Sequence, residues 1–103
     1  MSIEFTWDLS KALSNTAKHG VSFELAKQVF CDANVVIELQ QHVDGEERWQ
    51  ATGRVGEHLM LLVVHTTWDE GDLEIIRIIS ARRAEKHERI FYEEQRRRLS
   101  GGP

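Results

Sequence analysis

Arginine stays charged at any physiological pH and can fork two hydrogen bonds onto the oxygens of one phosphate. This sequence places arginines where extended backbone would aim several of them the same way. Drawn as a strand, EERWQATGR (residues 46–54) points Glu46, Arg48, Gln50, Thr52 and Arg54 to one side and Trp49, Ala51 and Gly53 to the other. IIRIIS (residues 75–80) carries Arg77 inside an apolar run. An unpaired charge is too costly to bury there, so Arg77 must reach water, a carboxylate or a ligand. Arg82 and Arg83 follow, just ahead of His87. If Arg77 shares a face with Arg48 and Arg54, and a helix after Ser80 brings Arg82 or Arg83 to its rim, a phosphate-sized cluster results. The competing structural reading pairs Arg77 with Glu46 or Glu74 and makes Arg48 a plain cross-strand partner.

The charge is unevenly spread. Residues 77–98 hold eight Lys/Arg and four Glu, a surplus of four positive charges in a chain whose formal net charge is −4. Local field steers an encounter more than net charge does, so the basic end suits a polyanion or an acidic protein. The plainer reading is a solvated helix laced with i,i+4 pairs: Glu85 with Arg89, Glu93 with Arg97, Glu94 with Arg98.

These residues need a scaffold. A chain of 103 residues, 41% hydrophobic and 29% charged, is expected to form a single domain over residues 1–99 with a disordered tail at 100–103. Residues 2–7 alternate like an opening strand. Asp8 is placed to cap a helix whose apolar stripe is Leu9, Leu13 and Ala17 and which Gly20 stops; Ser22 is placed to cap a second, with Phe23, Ala26 and Phe30 buried. From Asn34 the period becomes that of strands: residues 34–39, 48–54, 58–67 and 73–80, broken by Gly45, Gly56 and Gly71. The short connections predict an antiparallel meander with the two most apolar strands central. A last helix is expected from Ser80 to about Leu99. The fold class is therefore α+β, in the order β-α-α-β-β-β-β-α, with an antiparallel sheet and the helices on one face.

Three blocks resemble a known family. FTWDLSKALSNTAKHGVSFELAKQVF, with Trp7, Asp8, Lys11, Asn15, Lys18-His19-Gly20-Val21-Ser22-Phe23, Ala26 and Phe30, resembles the N-terminal signature of the BrnT toxins. ERWQATGR is similar to its second block and IRIISARRAEKHERIFYEE to its third, in the same order along the chain. The resemblance implies a small bacterial toxin of a type II toxin–antitoxin system, with a fold like the RelE ribonucleases. It implies an RNA-cleaving inhibitor of translation, neutralised by a cognate DNA-binding antitoxin of the ribbon-helix-helix, BrnA-like kind. Two toxins held by one antitoxin dimer are the expected assembly.

Cleaving RNA without metal means activating a 2′-hydroxyl, stabilising charge on the phosphorane, and protonating the departing 5′-oxygen. Glu46, Arg48, Arg77, Arg82 and His87 are the candidates for that work; Lys18, Arg54, Arg83 and Tyr92 are candidates for RNA contact. Histidine as a residue type suits general acid–base work, which adds His65 and His19 to the candidates, but a histidine closing a helix, as His19 does, more often meets the dipole. Tyr92 could stack on a base, although its helical spacing favours packing against the sheet. The five histidines and single cysteine show no zinc spacing, and no phosphate loop or nucleophile elbow is present, so no metal and no cofactor are expected. No apolar run is long enough for a membrane span and no secretion signal is visible, so the cytoplasm is the expected compartment. The reading from another class is a non-catalytic RNA- or protein-binding module that docks a partner on the basic helix and open sheet face.

Overall fold

Local chemistry sets the first helices in the computed structural model, which describes residues 2–99. After β1 (Ser2–Thr6), Asp8 Oδ1 accepts the Lys11 N–H at 3.0 Å and opens α1 (Leu9–His19). Gly20, at φ 69°, closes it by donating its N–H to Thr16 O at 2.8 Å. Ser22 Oγ accepts from Leu25 N at 3.1 Å and opens α2 (Phe23–Ala26), which tightens into a 3-10 turn at Lys27–Cys31. The expected apolar stripe of α1 is not its buried one. Leu9 and Leu13 are 69% and 65% exposed, and the helix docks through Ala12 and Asn15 instead. The single cysteine, Cys31, is exposed.

The remaining elements are β2 (Val36–Val43), β3 (Glu46–Val55), β4 (Leu59–Glu70), β5 (Leu73–Arg83) and α3 (Lys86–Leu99), so the element order agrees with the sequence reading. Asp44 and Gly45, both at positive φ, make the two-residue turn between β2 and β3. The sheet runs β1-β5-β4-β3-β2, with apolar β4 at its centre. It is mixed rather than antiparallel: β1 lies parallel to β5, from Ser2 opposite Leu73 to Thr6 opposite Arg77. No hairpin links these two strands, so local connection lengths could not set their direction.

Phe23, Ala26 and Val29 pack on Ala51, Leu61, Val63, Ile78 and Ala81, which puts α1, α2 and the 3-10 turn on one face as expected. Helix α3 crosses to the other face. His87, Glu88 and Phe91 share a cavity with Gln50 and Thr52, which alternate with Ala51 and so point away from that core. The strand before it also outruns its expected end at Ser80. Leu62 pairs with Arg82 and Leu61 with Arg83, while the Asn15 amide serves Ala81 beyond the reach of β1. Asn15 Oδ1 accepts the Ala81 N–H at 3.1 Å, and Nδ2 donates to Ala81 O at 2.9 Å and Val21 O at 3.0 Å. The helix therefore starts at Lys86 instead of after Ser80.

One irregularity positions the candidate site residues. His65 pairs with Ile78 but Val64 pairs with Ser80, so Ile79 is an extra residue in β5. Without it Arg77 and Arg82, an odd number apart, would point to opposite faces. With it Arg77, Ser80 and Arg82 all lie on the face of Thr66, Val64 and Leu62.

Candidate active-site face

The face away from the core collects four arginines from two strands. Alternation along β3 points Glu46, Arg48, Gln50, Thr52 and Arg54 outward, and the bulge adds Arg77 and Arg82 from β5. They form a strip rather than one cradle. From Glu46 to Arg54 the strand rises by about 26 Å at roughly 3.3 Å per residue, too far for a single phosphate. The single cluster expected from the sequence is therefore divided.

At one end, Arg77 Nη2 donates to Glu46 Oε1 at 3.0 Å and Oε2 at 3.3 Å, both side chains about two-fifths exposed. Thr66 of β4 stands beside Arg77 in the ladder, and Arg48 lies one position beyond the Trp49–His65 pair, opposite Thr66. The row thus reads Arg48, Thr66, Arg77 across three strands. Two polar atoms in it, Arg48 Nε and Thr66 Oγ1, are buried without a hydrogen-bond partner among the described residues.

In the middle, Arg82 is committed to α3. Its Nη1 and Nη2 donate to Glu88 Oε1 and Oε2 at 2.8 and 2.9 Å, and Nη1 also reaches Arg83 O. Glu88 Oε1 accepts the Glu85 N–H at 2.7 Å as well, the N3-to-cap half of a capping box. The Arg82 hydrogen bond holds the Glu88 carboxyl below its usual range and raises Arg82 in turn. His87, exposed, sits over Gln50 and Thr52.

At the far end Arg54 bonds Glu93, which also accepts from Arg96 Nε at 3.0 Å, and lies 5.9 Å from the Tyr92 ring centre. Tyr92 is not a base-stacking surface. It is 1% exposed, and its hydroxyl donates to Asp32 Oδ2 at 2.6 Å. Burial, with that bond, pushes its pKa up to about 12. Asp32 also accepts from Arg54 N at 2.8 Å and Asn34 N at 2.9 Å. Burial works to raise its carboxyl, but these donors outweigh it and leave the pKa lowered.

Three expected residues fall elsewhere. Arg83 pairs with core residue Leu61, so it points to the opposite face from Arg82. Lys18 lines a groove at the β5 edge with Lys11, His19 and Ser80, apart from the Arg48–Arg77 row. His65 is 3% exposed on the core side, edge-on to Phe30 at 4.9 Å, with its pKa lowered by burial. Thr66 and Asp32 were not singled out from the sequence: a threonine ending an apolar strand and an aspartate in a short connection carry no pattern. The i,i+4 pairs read along the last helix are replaced, among the described residues, by bonds of Glu88 to Arg82 and of Glu93 to Arg54 and Arg96.

Among the described residues one group of three potential metal ligands, Glu85, His87 and Glu88, comes within 4.8 Å. Both Glu88 oxygens already accept from Arg82, whose positive charge opposes a cation, so these residues read as a helix cap. Among the described residues no helix is long and apolar enough to cross a membrane.

The fold and this face define a small α+β protein with a strip of guanidinium groups, and carboxylates among them, on the sheet face away from its core. A family model described as the ribonuclease toxin BrnT of type II toxin–antitoxin systems matches residues 7–88. The chain belongs to the BrnT family of ribonuclease toxins, whose systems pair each toxin with a cognate antitoxin. Among solved structures, the 1.1 Å crystal structure of the Brucella abortus ribonuclease toxin BrnT matches with a TM-score of 0.61 at 24% identity, over 84% of this chain and 100% of that one. That likeness supports the fold. No curated protein matches. The matched span includes Arg48, Thr66, Arg77 and Arg82 and ends at Glu88, early in α3.

Proposed function

We propose that this toxin is a metal-independent endoribonuclease that blocks translation in the cytoplasm, cutting RNA at the Arg48–Thr66–Arg77 row. The observation that carries the reading is the convergence of two arginines from β3 and β5 on either side of one β4 residue, with a carboxylate bonded to one of them. Neighbouring strands lie about 4.8 Å apart, so Arg48 and Arg77 start about 10 Å apart and their long side chains can meet on one phosphate. Such pre-placed charge stabilises a phosphorane without reorganisation.

Glu46 takes the proton of the 2′-hydroxyl, and the 2′-oxygen bonds to phosphorus. The bond from phosphorus to the 5′-oxygen breaks, leaving a 2′,3′-cyclic phosphate, and His87 gives the departing 5′-oxygen its proton. Glu46 and the His87 cavity lie on opposite sides of the row along β3, so in this reading base and acid approach the phosphate from opposite sides. Arg82 acts through α3: its fork on Glu88 holds the turn that carries His87. Arg54 and Lys18 extend the basic surface for the RNA strand on either side. The antitoxin is a DNA-binding, ribbon-helix-helix protein of the BrnA kind, two toxins being held by one antitoxin dimer, and an acidic segment of it covers the arginine strip. The RNA substrate includes message on the ribosome.

Purified toxin incubated with RNA in EDTA tests this. Cleavage is expected to continue, and Arg77→Ala is expected to lower the rate at least about 100-fold, the scale for losing one donor to a developing charge. Its melting temperature should fall by no more than about 4–8 °C, because a pair this exposed contributes at most about 1 kcal/mol. Arg82→Ala should lose both activity and stability. RNA binding without any cleavage would favour a docking module and overturn the reading.

A further inference from the structure

We infer that Thr66 is a phosphate ligand of the active site, its hydroxyl and Arg48 Nε together receiving the oxygens of one RNA phosphodiester. The inference rests on the ribonuclease reading and adds a residue to its site. Thr66 is 3% exposed, yet its Oγ1 has no hydrogen-bond partner among the described residues. Across the ladder, Arg48 Nε is buried and equally unpartnered. Buried polar atoms are almost always paired, and leaving one unpaired is costly. Two such atoms on adjacent strands of one face are the mark of a site whose partner is a ligand.

Packing alone does not call for this hydroxyl. The strand reads LMLLVVHTTW, and a valine, as at Val63 and Val64 just before, would have the same shape and the same preference for a strand without an orphaned group. The surroundings also specify the ligand's charge. Arg77 stands on the other side of Thr66; its bonds to Glu46 use only Nη2, and no hydrogen bond from another described residue engages its Nε or Nη1. A tetrahedral phosphate offers several oxygens in different directions. It satisfies the Thr66 hydroxyl, Arg48 Nε and the unused side of Arg77 together, which a single planar group does less well. In this subsite Thr66 supplies the hydroxyl, and the arginines on the strands to either side supply the charge.

The test compares wild type, Thr66→Val and Thr66→Ser in the full chain. Three quantities are measured: melting temperature, affinity for a fully 2′-O-methylated RNA oligonucleotide that cannot be cleaved, and single-turnover cleavage of the unmodified RNA. Thr66→Val should melt at or above the wild-type temperature, since it removes an unpaired buried hydroxyl. It should lose about 10- to 100-fold in cleavage rate, the scale for a hydrogen bond to a charged group, and several-fold in affinity for the methylated strand. Thr66→Ser should recover most of both. Cleavage and binding within two-fold of wild type in Thr66→Val, or no recovery in Thr66→Ser, would overturn the inference while leaving the ribonuclease reading intact. A clearly lower melting temperature for Thr66→Val would overturn it too, by showing that the hydroxyl has a structural partner. If wild type fails to cleave, the ribonuclease reading falls, and loss of affinity for the methylated strand still decides whether Thr66 holds phosphate.

Discussion

Truncating Glu88 to alanine should detach α3 from the sheet more than any other surface-charge change. The carboxylate is only 12% exposed and does three things: it accepts both Arg82 Nη groups, at 2.8 and 2.9 Å, and the Glu85 N–H at 2.7 Å. Losing the capping contact costs about 0.5–1 kcal/mol. Losing the paired charge-assisted bonds costs about 1.5–3 kcal/mol, less what Arg82 regains from water, since its side chain stays 36% exposed. The total is about 2–3 kcal/mol. In a domain of this size each kcal/mol moves the melting temperature by about 4–8 °C, so Glu88→Ala should melt about 10–20 °C below wild type. The pH dependence follows from the lowered Glu88 pKa. A carboxylate whose folded pKa lies below its ordinary 4.5 contributes stability above that value and loses it as pH falls through the folded value. The gap between wild type and Glu88→Ala should therefore be full at pH 7 and shrink toward pH 3. Thermal unfolding followed by circular dichroism reads both effects. A variant melting within about 3 °C of wild type at pH 7, or a gap independent of pH, would refute the reasoning.

Tyr92→Phe removes the 2.6 Å bond that ties α3 to Asp32 and should cost about 1–2 kcal/mol in urea unfolding, while in wild type the single tyrosine should titrate in the ultraviolet near 12. His65 is buried with a lowered pKa, so between its ordinary 6.5 and its folded value the unfolded chain binds more protons and stability falls as pH drops; His65→Leu should flatten that slope in melting curves taken from pH 7.5 to 5. Glu93→Gln breaks an exposed bond to Arg54, side chains 43% and 31% exposed, and should change unfolding free energy by less than about 1 kcal/mol, a contrast to Glu88→Ala.

What could be read in the residues followed the range of the forces involved. Asp8, Gly20 and Ser22 act within four residues of themselves, so the caps and stops of α1 and α2 were visible. Alternation put Arg48 and Arg54 on one face for the same reason. The parallel pairing of β1 with β5 joins residues some seventy apart and leaves no local mark. The end of β5 was hidden because Ser80 makes a good cap in isolation, whereas Asn15, from the first helix, keeps Ala81 in the strand. The Ile79 bulge is what lets Arg77 and Arg82 share a face, and no residue type near it announces it. Leu9 and Leu13 have helical spacing but face outward, because Ala12 and Asn15 allow a closer approach to β5. The partners of the arginines were the least legible part. Glu46 was one of two carboxylates, with Glu74, named for Arg77, but Glu88 and Glu93 meet Arg82 and Arg54 only because α3 crosses to their face.

The central claim is that guanidinium groups, without a metal, support attack by a 2′-hydroxyl on the adjacent phosphate. Mass spectrometry of the fragments released from RNA in EDTA tests it most directly. Fragments ending in a 2′,3′-cyclic phosphate or its 3′-phosphate hydrolysis product, matched by 5′-hydroxyl ends, and no cutting of DNA of the same sequence, are the predicted result. Fragments with 3′-hydroxyl and 5′-phosphate ends, or cleavage that stops when EDTA is added, would contradict the account.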